Sequence, residues 1–251
     1  MHPDLVVTRP AAHVAAITMR RPPNNFFDTG LVAGIADAID EADVQDGCRA
    51  VILRSEGKHF CAGALIDPDR GDDSDQLYRA AQRLVSSPLP VVAAVQGAAV
   101  GGGLGLAMTA DVRIASTRAR LTANFVKLGI HHGFGLSATL PWAIGPHRAA
   151  LLLSTGRDMS GAEAAAIGLC DAVVEPDDLD GAALEVAVSY ANVAPLALRS
   201  IRQTMRADLV TSFPVALRRE QTEQRRLATT DDHREGLAAI RERRPAAFTG
   251  T

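Results

Sequence analysis

Two glycine-rich segments carry the residues of this sequence most suited to chemistry. Residues 57–64, GKHFCAGA, follow a short apolar run at 50–54, and residues 101–105, GGGLG, follow a second run at 91–95. Both runs are typical of buried strands, and the second glycine segment opens a helical pattern. The first N–H groups of a helix have no acceptor within it, and glycine lets a ligand approach the backbone closely. The two segments therefore predict a site that stabilises developing negative charge, the alternative being two tight, well-packed turns.

The same segments lack the spacing of the common nucleotide-binding and hydrolase motifs. Met108 stands where a dinucleotide fingerprint has its third glycine, and no stretch has the Walker A pattern. Residues 135–139, GLSAT, miss the G-x-S-x-G elbow of serine hydrolases because Thr139 replaces the second glycine. The sequence therefore argues against a nicotinamide-dependent enzyme, a P-loop enzyme and a serine hydrolase.

The composition is that of an ordinary globular protein. The 251 residues include 26 Lys and Arg against 29 Asp and Glu, a net charge of −3. A near-neutral chain without a basic block argues against nucleic-acid binding. No apolar run approaches the roughly 20 residues of a membrane span, and the first nine residues lack the apolar core of a signal peptide. Three cysteines without C-x-x-C spacing favour a reducing compartment, so we expect a cytoplasmic protein.

Short β-rich runs alternate with helical patterns over the first two thirds of the chain. This order predicts an α/β core with mostly parallel strands, which we assign to residues 1–194. Ser160 and Glu163 have the spacing of a capping box at a helix start. A C-terminal helical region follows at 195–251, in which the charged stretch 218–226 is predicted to be a solvated helix face. The helices predicted in the last third span residues 178–193, 196–208, 214–228 and 231–243.

Several motifs, in this order, resemble those of the enoyl-CoA hydratase/isomerase (crotonase) superfamily, and the likeness runs nearly end to end. Each motif is weak alone, but the set is specific. The motifs are the turn at 21–25 (RPPNN), the segment 60–64 (FCAGA), the run 100–111 (VGGGLGLAMTAD), the stretch 153–165 (LSTGRDMSGAEAA) and a C-terminal signature at 234–236 (REG) and 244–250 (RPAAFTG).

The resemblance implies a spiral of ββα turns with a C-terminal helical trimerisation region, and therefore a homotrimer or homohexamer. It also implies an acyl-CoA substrate, with no cofactor beyond the coenzyme A of that substrate. The amides of Ala64 and Gly102 match the family's oxyanion hole, which stabilises a thioester enolate. Leu65 departs from the pattern, because many members have aspartate there. Further backbone contacts to the substrate are expected from Ala62, Leu65, Ile66 and Gly101.

The resemblance stops at the two glutamates with which hydratases of the family add water. Their positions are Gly105 and Phe125 here, and neither residue can hold or transfer a proton. A third position, which carries an aspartate in some isomerases, is Gly133. His132, directly before it, has an imidazole suited to moving a proton between carbons of an acyl chain, the alternative being a hydrogen-bonded turn residue. Phe125 and Gly133 are expected to line the acyl pocket, with His132 as the candidate base.

Two function classes remain open. The first is an enzyme that forms a thioester enolate and moves a proton, with isomerisation favoured over hydration because one mobile base suffices. The second is a non-catalytic fatty acyl-CoA-binding protein, which Phe125 favours because an aromatic ring makes the pocket drier. The adjacent His131 and His132 lack a surrounding cluster of ligands in sequence, so no metal site is expected. The aspartates between residues 67 and 75 are predicted to lie in a solvated loop and to cap the next helix.

Overall fold

The structure is a computed structural model, and it describes residues 2–44, 47–65 and 73–251. Over these residues the chain forms nine strands, ten α-helices and two short 3-10 helices, the latter at Asn124–Leu128 and Pro176–Asp178. The strands are β1 (Leu5–Ala11), β2 (Val14–Met19), β3 (Ala50–Ser55), β4 (Val91–Val95), β5 (Ala98–Val100), β6 (Val112–Ser116), β7 (Arg120–Thr122), β8 (Met159–Ser160) and β9 (Ala172–Val174). The α-helices are α1 (Thr29–Val44), α2 (Ser74–Ser86), α3 (Gly102–Met108), α4 (Leu136–Ile144), α5 (Pro146–Thr155), α6 (Gly161–Ala166), α7 (Leu179–Ala191), α8 (Pro195–Met205), α9 (Ala207–Leu227) and α10 (Asp231–Glu242).

Two sheets organise the core. The larger has six strands in the order β1-β2-β3-β4-β6-β9, and all of its pairings are parallel except β1 with β2. The smaller sheet has the order β5-β7-β8, with β5 parallel and β8 antiparallel to β7. The prediction of an α/β core with mostly parallel strands is therefore confirmed.

The central strands are buried on both faces, as parallel strands covered by helices must be. Successive side chains of a strand point to opposite faces, so β2 contributes to two clusters. Val14 and Ala16 pack with α7 on one side of the sheet. Ala15 and Ile17 join the main core on the other side, together with α1, α2 and α3. Packing against Val14 and Ala16 explains why α7 has small residues at regular spacing. The buried residues of α7 are Leu179, Ala183, Ala187 and Ala191.

Side-chain caps fix the starts of several helices. The Leu31 N–H donates to Asp28 Oδ1 at 2.8 Å at the start of α1. Ser160 and Glu163 form the predicted capping box before α6. Asp73, in contrast, makes no side-chain capping bond to α2. Asp75 lies in the first turn of α2, and the three remaining aspartates of that predicted loop, Asp67, Asp69 and Asp72, lie outside the described residues.

Helix α9 differs from its prediction in two respects. It runs without a break from Ala207 through Pro214, whereas the sequence predicted a helix start at 214. Leu209, Phe213 and Leu217, spaced four residues apart, lie in the main core and hold the helix together across the proline. The predicted solvated face is also wrong in part, because Glu220 is fully buried and Glu223 is 9% exposed.

Helix α8 is the least covered of the C-terminal helices. None of its residues is buried, and Leu196, Ile201 and Met205 are exposed. Assembly with further copies, and the division at residue 194, stay predictions. Within the described ranges no single helix is long and apolar enough to cross a membrane. One pair of segments, 176–191 and 195–205, has the required length and composition together, but the two are bent by 107° relative to each other.

Candidate functional site

The two glycine-rich segments lie side by side, joined by one parallel pairing. Cys61 lies opposite Ala99 in this pairing: its N–H donates to Ala98 O and its carbonyl accepts the Val100 N–H, both at 3.0 Å. A β-carbon on Gly103 would lie 2.1 Å from the Cys61 carbonyl oxygen, so only glycine permits this approach. Ala64 and Gly102 each stand three residues beyond the paired residues. The two segments that were predicted to supply the oxyanion donors are thus neighbours in the fold.

The backbone at Ala64 is fixed by Phe27. The Phe27 N–H donates to Gly63 O at 3.0 Å, and the Leu65 N–H donates to Phe27 O at 2.7 Å. This parallel pairing uses the amides of Phe27 and Leu65 and leaves the Ala64 N–H outside it.

The backbone at Gly102 is fixed by a left-handed residue. Gly101 has φ of 55°, and its N–H donates to Thr122 O at 2.8 Å. Helix α3 then begins at Gly102, and the Gly105 N–H donates to Gly101 O at 3.1 Å. As the first residue of the helix, Gly102 has an N–H with no acceptor in the helix.

Aromatic rings surround the start of α3. A β-carbon on Gly102 would lie 2.6 Å from Phe27 Cζ and 3.7 Å from Phe134 Cδ2, and these two rings pack edge to face with centroids 5.3 Å apart. The Phe125 ring lies 3.5 Å from where Gly101 would carry its β-carbon. Asn124 Oδ1 lies closer to the same position, at 3.2 Å. The neighbourhood of the predicted donors is therefore apolar apart from this amide.

The space beside Gly105 is already filled. A β-carbon at this position would lie 2.6 Å from Phe134 Cβ and 2.9 Å from Phe134 Cγ. Phe134 is 2% exposed and has φ of 60°, so its backbone bends to bring the ring against α3. No side chain fits at position 105 unless Phe134 moves.

Gly133 contacts a polar pair. The Tyr78 hydroxyl donates to Gln224 Oε1 at 2.7 Å, and Gln224 Nε2 donates to His131 O at 3.1 Å. A β-carbon on Gly133 would lie 2.7 Å from the Tyr78 hydroxyl oxygen and 2.6 Å from Gln224 Nε2. The pair thus links α2, α9 and the turn that carries the histidines.

His132 lies in a network at the start of α4. Its Nε2 shares a hydrogen bond of 2.7 Å with Ser137 Oγ, and its ring stacks on His131 with centroids 4.0 Å apart. Glu220 Oε1 lies 4.0 Å from the same Nε2. Glu220 accepts the N–H groups of Gly135 and Ser137, both at 2.7 Å, and so caps α4 from the neighbouring helix α9.

Burial dominates the protonation of this network. It raises the pKa of Glu220 to about 7, although the two amide hydrogen bonds act in the opposite direction. It also lowers the pKa of His132 to about 4, and the neighbouring His131 contributes to the decrease. The His132 imidazole is therefore neutral at pH 7, the form in which it can accept a proton.

The Ser137–His132 contact has the length of a nucleophile–base pair, yet its surroundings do not suit a serine hydrolase. Such an enzyme orients its histidine by a carboxylate on the other ring nitrogen and leaves amides free for an oxyanion. Here Glu220 lies on the Nε2 side of His132 and occupies the amides of Gly135 and Ser137. The geometry agrees with the sequence in disfavouring that activity.

Other residues near the first segment are structural. His59 Nδ1 accepts the Ala98 N–H at 3.1 Å and holds the loop against β5. Burial raises the pKa of the Cys61 thiol to about 12, so it stays protonated at neutral pH. The Ala62 N–H donates to Asn24 O at 2.9 Å, and Leu65 is half exposed. Ile66 lies outside the described residues.

Within the described ranges, no group of three or more His, Cys, Asp or Glu side chains is placed to hold a metal ion.

Comparison with known proteins decides the family. Residues 9–251 match the family described as enoyl-CoA hydratase/isomerase. The chain belongs to this family. Mitochondrial methylglutaconyl-CoA hydratase of Homo sapiens is 32% identical over an alignment of 242 residues that covers 90% of this chain and 70% of that protein.

Solved structures of the enoyl-CoA hydratase/isomerase family share the fold over almost the whole chain. An enoyl-CoA hydratase/isomerase from Pseudoalteromonas atlantica T6c has a TM-score of 0.89 at 28% identity, covering 98% of this chain and 100% of that one. An enoyl-CoA hydratase from Mycobacterium avium subsp. paratuberculosis K-10 has a TM-score of 0.87 at 30% identity, covering 99% and 100%. The crotonase-like fold expected from the sequence motifs is thereby confirmed.

Sequence reasoning missed several residues of this neighbourhood. Phe27, Phe134, Tyr78 and Glu220 were not singled out, because each reaches the glycine segments or the histidine turn from a distant part of the chain. Glu220 had one available signal, a carboxylate in line with the apolar residues Phe213 and Leu217 of α9 at helical spacing.

Proposed function

We propose that this enoyl-CoA hydratase/isomerase family protein forms an enolate from an acyl-CoA thioester and moves a proton along the acyl chain, as an isomerase rather than a hydratase. The observation that carries the proposal is the aromatic filling of the site. Gly105 has no side chain and its space holds the Phe134 ring, while Phe125 takes the second position at which hydratases have glutamate. Water addition needs an acid and a base at these positions.

The adjacent segments support the enolate half of the proposal. The amides of Ala64 and Gly102 would donate to the thioester oxygen as negative charge develops on it. Removal of one such donor typically lowers the rate by about 10²–10³-fold. The apolar rings of Phe27 and Phe134 would strengthen these bonds by keeping water away from them.

The proton-transfer half of the proposal assigns the base to His132. Its neutral imidazole is available at physiological pH, and the contact with Ser137 fixes the ring orientation. A pKa of about 4 makes it a weak base in the free protein, so the proposal requires that acyl-CoA binding raise this pKa toward the working pH.

Isotope labelling in D₂O tests the reaction. The purified protein is incubated with crotonoyl-CoA and with a longer 3-enoyl-CoA, and the products are analysed by mass spectrometry. Deuterium in the acyl chain without net water is the expected result. Addition of water to crotonoyl-CoA would contradict the proposal.

A matched pair of variants tests the Gly102 amide. Gly102→Ala and Gly102→Pro both place a β-carbon against Phe27, but only proline removes the N–H. We expect Gly102→Pro to lose at least about 10²-fold more exchange activity than Gly102→Ala. Equal losses would remove this amide from the mechanism.

His132→Ala tests the base. A general base contributes typically about 10²–10⁴-fold, so isomerisation should fall by that factor while acyl-CoA affinity changes little. Unchanged isomerisation would exclude His132. Ser137→Ala separates orientation from proton transfer, since it removes the Ser137 hydrogen bonds to the imidazole and to Glu220 but keeps the imidazole itself. It should therefore cost less activity than His132→Ala.

The aromatic rings also favour a second candidate, a non-catalytic acyl-CoA-binding protein. Three phenylalanines around the glycine segment suit an acyl chain even where no proton is moved. This candidate predicts no deuterium uptake from either substrate, together with saturable binding of acyl-CoA that survives Gly102→Pro.

A further inference from the structure

A second cavity lies away from the glycine segments, between α8, the start of α9 and the turn after α2. Its volume is about 480 Å³, within the range of small-molecule sites. Three arginines of α8 and the α8–α9 junction line it, at positions 199, 202 and 206, and no carboxylate is among the lining residues of the described chain. The other lining residues are Ser86, Ser87, Pro88, Gln203, Ala207, Val210 and Thr211.

One carboxylate behind the cavity serves two of these arginines. Asp111 Oδ1 accepts from Arg202 Nε at 2.9 Å and from Arg206 Nη1 at 3.0 Å. Its Oδ2 accepts the Val91 N–H at 2.8 Å, so three donors already engage the carboxylate. Arg199 pairs separately with Asp43. Asp111 and Asp43 together neutralise two of the three guanidinium charges, and the cavity wall keeps a positive excess.

Two guanidinium nitrogens in this wall have no partner. Among the buried side-chain nitrogen and oxygen atoms of the described residues, those without a hydrogen bond are Arg202 Nη2 and Arg206 Nε. Arg206 is 3% exposed, and a buried unpaired donor on a cation is costly. Burial lowers the pKa of Arg206, and the charges of Arg202 and Arg113 lower it further. Asp111 raises this pKa but does not outweigh them. One bound anion would supply the missing hydrogen-bond acceptors and would offset the excess positive charge.

We propose that this cavity binds a small tetrahedral oxyanion, a phosphate or sulfate group, between Arg199, Arg202 and Arg206. Guanidinium groups match the oxygens of such anions, and several oxygens on one ligand can serve arginines that project from successive turns. Ser86, Gln203 and Thr211 add neutral polar groups to the same wall. The two unpaired nitrogens are buried, and both guanidinium groups are held by hydrogen bonds to Asp111. The bound anion therefore reaches these nitrogens through one ordered water. The site is independent of the proposed acyl-CoA chemistry.

Trp142 provides the readout. It is the single tryptophan of the chain, and the Arg206 guanidinium carbon lies 5.9 Å from its ring centroid. Intrinsic fluorescence is therefore followed during titration with inorganic phosphate at constant ionic strength, with chloride as the balancing anion. Parallel titrations use sulfate, glycerol phosphate and acetate. A saturable change with phosphate or sulfate that acetate does not reproduce is the expected result.

A pair of variants on α9 controls the titration. Thr211→Glu places a carboxylate among the lining residues and should weaken phosphate binding roughly tenfold or more. Thr222→Glu adds the same charge at an exposed position of the same helix and should leave binding unchanged.

Tighter binding of glycerol phosphate than of inorganic phosphate would assign a phosphorylated metabolite, and equal binding would assign the free ion; both support the site. A response equal to that of acetate, no saturable response, or the same affinity in Thr211→Glu would overturn the proposal.

Discussion

Replacing Gly105 by alanine tests whether the Phe134 ring fills the space that a hydratase glutamate side chain would need. The added β-carbon would lie 2.6 Å from Phe134 Cβ and 2.9 Å from Phe134 Cγ and Cδ1. Carbon atoms pack best at about 3.5–4.0 Å, so one side must move by roughly 1 Å. Neither side moves freely, because Gly105 is inside α3 and Phe134 is held between α3 and the Phe27 ring.

The expected cost follows from two opposing contributions. Overpacking of a buried site typically costs about 1–3 kcal/mol. Alanine in place of glycine inside a helix returns about 0.5–1 kcal/mol through its smaller loss of backbone entropy. Gly105→Ala should therefore lower the free energy of unfolding by about 1 kcal/mol, and by at most about 2.5 kcal/mol, measured by urea unfolding with far-UV circular dichroism. Gly181→Ala is the control, because no atom of the described residues lies within 4 Å of the added β-carbon in α7 and we expect a small gain in stability.

A double-mutant cycle with Phe134→Gly shows whether Phe134 is the partner. This change removes both the ring and the β-carbon, and its backbone φ of 60° suits glycine. In that background Gly105→Ala should no longer destabilise, giving a coupling of about 1–3 kcal/mol between the two positions. Phe134→Ala keeps the β-carbon and should relieve only part of the clash. Additivity within about 0.5 kcal/mol in the glycine background would refute the assignment of this space to Phe134.

The remaining predictions concern protonation and helix caps. Burial raises the pKa of Glu220 from 4.5 to about 7, so its contribution to stability is full below pH 4.5 and is lost as the pH rises to 7. Relative to Glu220→Gln, the free energy of unfolding should fall by roughly 3 kcal/mol over that window, measured by urea unfolding at each pH. Equal pH profiles of the two proteins would contradict this. Ser160→Ala removes one half of the capping box before α6 and should cost about 1 kcal/mol in the same assay, whereas an unchanged midpoint would show that the cap contributes nothing. Burial raises the pKa of Cys61 and of Cys170 to about 12, so both thiols should react slowly with an aromatic disulfide reagent in the native protein and rapidly in urea; fast native labelling at either position, located by peptide mapping, would contradict their burial.

The sequence was sufficient where a feature depends on residues close together in the chain. The strand at Val91–Val95 has the bounds that its β-branched and small residues predict, and the capping box at Ser160 needs only residues three apart. The two glycine segments were likewise identified from local spacing. The parallel order of the sheet followed from the alternation of strands and helices, since parallel strands require a crossover between them.

The features that escaped prediction depend on distant contacts. Glu220 looked like one more charge in a solvated stretch, because its burial depends on the amides of Gly135 and Ser137, more than eighty residues earlier. Pro214 suggested a helix start, because a local pattern cannot weigh one lost hydrogen bond against the burial of Phe213 and Leu217 in the main core.

The same reasoning limits how far a family name specifies a reaction. Gly105 alone could be seen as a lost catalytic residue in an otherwise intact hydratase site. The structure gives that glycine a partner, since Phe134 bends into the space that a side chain at 105 would need. A substitution at position 105 therefore does not restore a carboxylate without also displacing Phe134 and disturbing its contact with Phe27. The two positions form one packing unit, so the proposal that this chain lacks the acid–base pair of a hydratase rests on the packing of Phe134 as well as on the residue type at position 105.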